Sequence, residues 1–141
     1  GNIQEEHDFW QMSDMGQVYD ELMKQQQRMK DGGIAASRII LDPGIGFGKT
    51  MQLNWKLLDF PHYWASNQPA ITPTATIMIG TSRKRFLASD PNTGFPLEGV
   101  DRYDPAISVA AAEAAIQASP PGQRLLLRIH DVAAHRELIA D

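Results

Sequence analysis

The sequence predicts an α/β fold with a parallel sheet and crossover helices, on three observations. Helical and strand-like segments alternate in the order α, β, α, β, α, β, α, and such alternation builds parallel sheets. The strand segments are short and apolar, as in a sheet covered on both faces. Each of them ends in an unusual polar or glycine-rich cluster, where parallel α/β folds place their ligand sites. At 141 residues the chain suits one domain. It is too short for a closed (β/α)8 barrel, which needs roughly 200 to 250 residues.

Residues 1–12 mix polar groups with Phe9, Trp10 and Met12 without a period. They predict a loop or disordered start, with the domain running over 13–141. Ser13 or Asp14 can cap the first helix, since a short side-chain oxygen accepts an orphan backbone N–H. Met15, Val18, Tyr19, Leu22 and Met29 then recur at helical spacing. Gln25, Gln26, Gln27 and Arg28 fall mostly outside that stripe, and Gly32-Gly33 end the helix. Residues 38–41 read as a strand buried on both faces, followed by the glycine-rich loop 42–50. Leu53, Leu57, Leu58 and Phe60 are again helical in spacing, and three prolines make 61–74 a connection. Residues 75–79 read as a second buried strand, closed by Gly80-Thr81-Ser82-Arg83-Lys84, and a short helix starts at Arg85. Residues 89–102 carry Pro, Asn, Gly and Asp and read as a mobile surface loop. Asp104 caps the next helix, with Pro105 in the first turn, where a missing N–H costs nothing. Ser119-Pro120-Pro121-Gly122 ends that helix after about Ala118. Residues 125–129 read as the third strand, ending in His130-Asp131, and a last helix starts at Val132.

Composition excludes several classes of function. Hydrophobic residues make up 43% and charged residues 21%, an ordinary globular balance rather than a disordered one. A net charge of −4 argues against a nucleic-acid binder, which would be strongly basic. The absence of cysteine excludes disulfide frameworks, thiolate metal sites and cysteine nucleophiles. No apolar run approaches the ~18 residues that span a bilayer, and residues 1–12 do not read as a signal peptide. The expected location is the cytoplasm, with no membrane partner.

The three strand ends define the candidate site. Gly48-Lys49-Thr50 imitates a phosphate-binding P-loop, but Pro43 stands where the first glycine belongs. The dinucleotide fingerprint fails as well, since the run is G-x-G-x-G. A plain strand-to-helix turn explains the glycines but not Asp42. A carboxylate at the rim of a buried strand is costly unless paired. Its two oxygens match two N–H groups of an amino-substituted heterocycle. Arg83 and Lys84 stand just after the second strand. Arg128 and His130 are two apart on the third and therefore share a side. With Lys84 they would form a basic pocket for an anion such as a pyrophosphate. His7, His62 and His135 read as surface or packing residues, and Asp131 as the cap of the last helix. No protein-built metal site can be assembled. A magnesium ion carried by substrate phosphate oxygens fits the ordinary preference of Mg²⁺.

These segments resemble a known family. Ile39-Ile40-Leu41-Asp42-Pro43-Gly44-Ile45-Gly46-Phe47-Gly48-Lys49 resembles the second signature of the dihydropteroate synthases. Gly80-Thr81-Ser82-Arg83-Lys84-Arg85-Phe86 resembles their G-x-S-R-K segment, and Arg128-Ile129-His130-Asp131-Val132 their terminal R-V-H-D-V. Asn54, Leu57 and Leu58 fit the helix after the glycine loop. The resemblance runs from about Met15 to the end, and it implies a partial (β/α)8 TIM barrel, the C-terminal half, with about three parallel strands and flanking helices. The family is a sulfonamide target. It joins 6-hydroxymethyl-7,8-dihydropterin pyrophosphate to para-aminobenzoate, with Mg²⁺, and releases pyrophosphate. By resemblance, Asp42 would bind the amino-pyrimidine edge of the pterin, and Gly80 would let it approach the backbone. Lys84 would contact both substrates, Phe47 would flank the aminobenzoate ring with Ser82 supporting that site, and Gly46 would be among the substrate-binding residues. Arg128 and His130 would hold the leaving pyrophosphate and, with Lys84, carry the catalysis.

Two departures stand out. Arg85 occupies a place where many members carry serine, and a usual threonine is replaced within Pro105-Ala106-Ile107-Ser108. The family's N-terminal half, with the expected main protein ligand of magnesium, has no counterpart here. The chain alone is therefore expected to have little or no synthase activity, and its open sheet edges predict a homo-oligomer. A methyltetrahydrofolate methyltransferase would share the pterin aspartate without needing Ser82-Arg83-Lys84 or Arg128-Ile129-His130. A non-catalytic module that binds a pterin or an anion is the other alternative.

Overall fold

A computed structural model describes residues 13–68 and 75–139. The expected loop over 1–12 lies outside the described residues. Helix α1 (Met15–Asp31) begins at Asp14, whose Oδ1 accepts the Gly16 N–H at 3.0 Å. Val18 and Leu22 are buried, with Met15, Tyr19 and Met29 packed beside them, as the periodicity predicts. Gln26 corrects that reading. It lies four residues beyond Leu22 on the same face and is only 3% exposed. Helical geometry buries this position whatever its polarity, and the Gln26 amide donates to the Met23 sulfur at 3.8 Å. Gly33, at φ +93°, supplies the left-handed residue that ends α1.

Strand β1 (Ile40–Leu41) is shorter than predicted, because a 3-10 turn over Ala36–Arg38 takes Arg38 out of it. Helix α2 (Met51–Lys56) passes through a 3-10 turn, Leu57–Asp59, into helix α3 (Phe60–Ser66). The connection expected from residue 61 is therefore helical as far as Ser66. Pro61 sits in the first turn of α3, where no N–H is required. Residues 69–74 of that connection lie outside the described residues. Strand β2 (Thr76–Gly80) follows, then a 3-10 turn at Arg85–Ala88. Helix α4 (Pro105–Ala118), strand β3 (Leu125–Arg128) and helix α5 (Val132–Ile139) complete the chain. Asp104 caps α4 through the Ala106 N–H, and Asp131 accepts the Ala134 N–H at the start of α5.

The three strands are parallel in the order β1-β2-β3. Leu41, Ile77 and Ile79 are buried on one face, and half-buried Leu125 and Leu127 continue it. That face forms the core with Leu53, Leu57, Phe60 and Trp64 from α2, the turn and α3, and with Ala111 and Ala115 from α4. Tyr19 from α1 meets the Tyr63 ring edge-on at 5.6 Å and the Trp64 ring at 5.3 Å. The opposite face is open on the outer strands, where Ile40 is 51% exposed and Leu126 44%, while Thr76 and Met78 between them are buried and half-buried. Burial on both faces therefore fails for β1 and β3, since no described element covers their second face. Parallel strands with helices packed on one side form a segment of a (β/α)8 barrel wall.

The segment between Ser89 and Asp104 runs over the surface as predicted, but it is pinned. Trp55 Nε1 donates to the Ser89 carbonyl at 3.1 Å and to its Oγ at 3.0 Å. Gln52 donates to the Thr93 carbonyl at 2.8 Å, and Asp90 accepts the backbone N–H groups of Asn92 and Thr93.

Candidate functional site

The ends of β2 and β3 open into a cleft of about 440 Å³. Gly80 and Arg128 are register partners in the sheet. With no side chain at Gly80, the stem of Arg128 lies beside the strand; an ideal Cβ at Gly80 would stand 3.5 Å from Arg128 Cβ. Arg128 and His130 both line the cleft, as their spacing predicted, and both are exposed. Ser82 is buried, and its Oγ accepts the His130 backbone N–H at 3.3 Å, tying the end of β2 to the end of β3. Lys84 faces them from the far side of the turn. Its Nζ lies 4.1 Å from the centroid of the Phe47 ring, a cation–π contact.

The glycine loop supplies the opposite lip. Thr50 Oγ1 caps α2 through the Leu53 N–H, and buried Asn54 accepts the Gly46 N–H at 2.8 Å. Gly46 suits its φ of +89°. An ideal Cβ there would lie 3.1 Å from Lys84 Cδ, so the lysine stem would have to give by a few tenths of an ångström. Lys49 turns back onto its own loop and donates to the Phe47 carbonyl at 2.8 Å. The resemblance to a P-loop ends there. Phe47 itself is 65% exposed and presents its ring to the cleft.

Asp42 corrects the reasoning that singled it out. It is exposed, so it carries no burial cost, and its Oδ1 accepts the Gly44 N–H at 2.7 Å. Its field still reaches both lysines. Burial pushes Lys84 below the ordinary lysine range; Asp42 opposes this and Arg128 reinforces it. Lys49 is lowered by burial as well, opposed by Asp42 and reinforced by Lys84. The cleft thus brings Lys84, Arg128 and His130 together with the Phe47 ring, while Asp42 lies outside its lining and acts on Lys84 and Lys49 through its charge. Such a surface can bind an anion at one end and a flat polar ring at the other.

Of the predicted residues, Phe47, Gly80, Ser82, Lys84, Arg128 and His130 line this cleft. Gly46 lines an adjoining cleft of about 320 Å³ that shares Phe47 and Lys84 and is lined also by Arg85 and Arg102. Tyr103 lines the main cleft and was missed by sequence reasoning. Its only signal was an exposed aromatic just before the helix cap Asp104. Arg102 stacks on it at 4.8 Å and donates to its hydroxyl at 2.7 Å. His62 is exposed and His135 is buried, its Nδ1 2.7 Å from the Asp131 carbonyl. Both stand apart from the residues of this cleft, and His7 lies outside the described residues. Among the described residues no group of three His, Cys, Asp or Glu side chains could hold a metal ion. No helix among them is long and apolar enough to cross a membrane.

Known proteins are similar to this chain in sequence and in fold. A family model described as pterin binding enzyme matches residues 3–119. The dihydropteroate synthase of Mycobacterium leprae (strain TN) is 34% identical over 110 residues, 72% of this chain and 32% of that protein. The mitochondrial folate synthesis bifunctional protein of Arabidopsis thaliana is 34% identical over 119 residues, 82% of this chain and 20% of that protein. The structure of Stenotrophomonas maltophilia dihydropteroate synthase with active-site-bound imidazole superposes with a TM-score of 0.67 at 30% identity. That match covers 88% of this chain and 42% of the other. The Burkholderia cenocepacia enzyme complexed with 7,8-dihydropteroate gives a TM-score of 0.62 at 35% identity, over 87% of this chain and 41% of the other. The chain spans about a third of the length of bacterial relatives such as those of M. leprae and Escherichia coli.

Proposed function

The chain belongs to the pterin-binding enzyme family, and from that premise we propose that it is part of a dihydropteroate synthase, contributing one wall of the active site. The observation that carries this reading is the convergence of Lys84, Arg128, His130, Ser82 and Phe47 on one cleft at the strand ends. In the proposed reaction the amino nitrogen of para-aminobenzoate bonds to the methylene carbon of 6-hydroxymethyl-7,8-dihydropterin pyrophosphate. The carbon–oxygen bond to pyrophosphate breaks, and the amine proton passes to solvent or to the departing phosphate. Arg128 and His130 would meet the leaving group, where fixed cationic donors stabilise developing negative charge. Asp42 would accept two N–H groups from the pterin edge. Its Oδ1 is already bonded to Gly44, and a carboxylate oxygen has lone pairs for a further donor. Lys84, over the Phe47 ring, would contact the pterin and the aminobenzoate side.

Magnesium belongs to this reading as an ion carried by the substrate pyrophosphate, with its main protein ligand expected in the family's N-terminal half. Sulfonamide sensitivity, a cytoplasmic location and self-association belong to it equally as expectations. Isothermal titration of the chain with the pterin pyrophosphate, with and without aminobenzoate, tests the reading. Binding is expected, and Asp42→Asn should weaken it by roughly tenfold or more, the scale of losing a charge-assisted hydrogen bond. A chain that binds no pterin, or binds it unchanged after Asp42→Asn, overturns the assignment.

A further inference from the structure

Among the described residues, Arg83 is the one non-glycine with a positive φ, +61°. The left-handed region costs an L-residue with a Cβ about 1–2 kcal/mol, and such a backbone persists only where its surroundings over-determine it. Arg83 stands between Ser82, which ties β2 to β3, and Lys84, which stacks on Phe47. Its side chain is exposed, so the side chain does not hold the backbone in place. The restraint comes from elsewhere. The Lys84 N–H closes the turn on the Thr81 carbonyl at 3.1 Å, and the Arg83 N–H donates to Ser108 Oγ at 3.2 Å. Ser108 is 2% exposed, on the first turns of α4, and lies outside the residues lining the cleft.

We propose that Ser108 is a positioning residue for the site: its hydroxyl oxygen holds Arg83 in the left-handed turn and so keeps the Lys84 ammonium over the Phe47 ring. The value of this to catalysis rests on the synthase reading above; the geometric claim does not. A side chain on a helix behind the sheet thereby sets the direction of a cation at its front. Serine suits the place because it offers an acceptor in little volume, and threonine would keep the acceptor.

The test is nuclear magnetic resonance on the full chain without ligand. In the wild type, the Lys84 ε-methylene protons are expected to be displaced upfield by the ring current of Phe47, over which the ammonium lies. Ser108→Ala is expected to lose most of that displacement and Ser108→Thr to keep it. Arg83→Gly in the Ser108→Ala background is expected to restore it, because glycine adopts positive φ without strain. Should Ser108→Ala fail to fold, Ser108→Cys, a weaker acceptor of similar size, is expected to lose part of the displacement. An unchanged Lys84 signal in a folded Ser108→Ala or Ser108→Cys chain overturns the proposal, as does failure of Arg83→Gly to restore it. Titration of the same variants with the pterin pyrophosphate separates the two ideas. Affinity is expected to fall by roughly tenfold or more in Ser108→Ala, the scale of a misplaced binding group. A lost ring-current shift with unaltered pterin affinity would keep the positioning role and overturn its link to the synthase site.

Discussion

Lys84 is packed against Phe47, and its proton responds to burial and to the charges of Asp42 and Arg128. Burial lowers its pKa below the ordinary 10.5. A lysine lowered on folding binds fewer protons in the native state than in the unfolded chain between the two values. Stability therefore rises as pH climbs from the lowered value towards 10.5 and is flat outside that window. Lys49 contributes with the same sign. Urea unfolding across that alkaline range should show the rise, and Lys84→Met should reduce its slope; an identical slope in the variant would refute this account. Residue types at the strand ends were readable in the sequence because catalytic loops leave the sheet at fixed points. Their burial was not. Asp42 looked costly because its neighbours are apolar, yet one Asx turn leaves it in water. Ser108 was invisible because its partner is a backbone N–H on a segment 25 residues away.

At the scale of elements, the periodic segments were legible and the junctions were not. α1 and α4 carry their own start and stop signals, Asp14 with Gly33 and Asp104-Pro105 with Ser119. α3 was hidden because Pro61 marks the first turn of a helix as readily as the end of one. The short β1 was over-extended because 38–41 has strand composition, while only Ile40 and Leu41 find ladder partners. The surface segment from Ser89 hangs on Trp55, whose indole N–H bonds to Ser89 and whose ring meets Phe86 edge-on at 4.9 Å. Trp55→Phe keeps the aromatic contact and deletes the donor. The expected cost is about 1–2 kcal/mol in urea unfolding, with faster proteolysis between Ser89 and Asp104. Unchanged proteolysis would show that the segment is held by its own turns, such as the one closed by Asp90.

Across the whole molecule, the sheet has one buried face and a second face that is open on β1 and β3, both of which are edge strands among the described residues. Unpaired edges beside apolar side chains invite pairing between chains. Ile40→Thr with Leu126→Thr keeps residues that suit a strand while removing the exposed apolar rows. The pair should shift the mass seen by light scattering towards the monomer at a cost below about 1 kcal/mol per site; an unchanged mass would place self-association on another surface. The strand order has a different consequence. Position along the sheet follows position along the chain, β1 then β2 then β3. As the polypeptide leaves the ribosome, each new strand can therefore dock on the edge left by the one before it. Nothing already folded has to be displaced, and assembly can advance in one direction at the pace of translation.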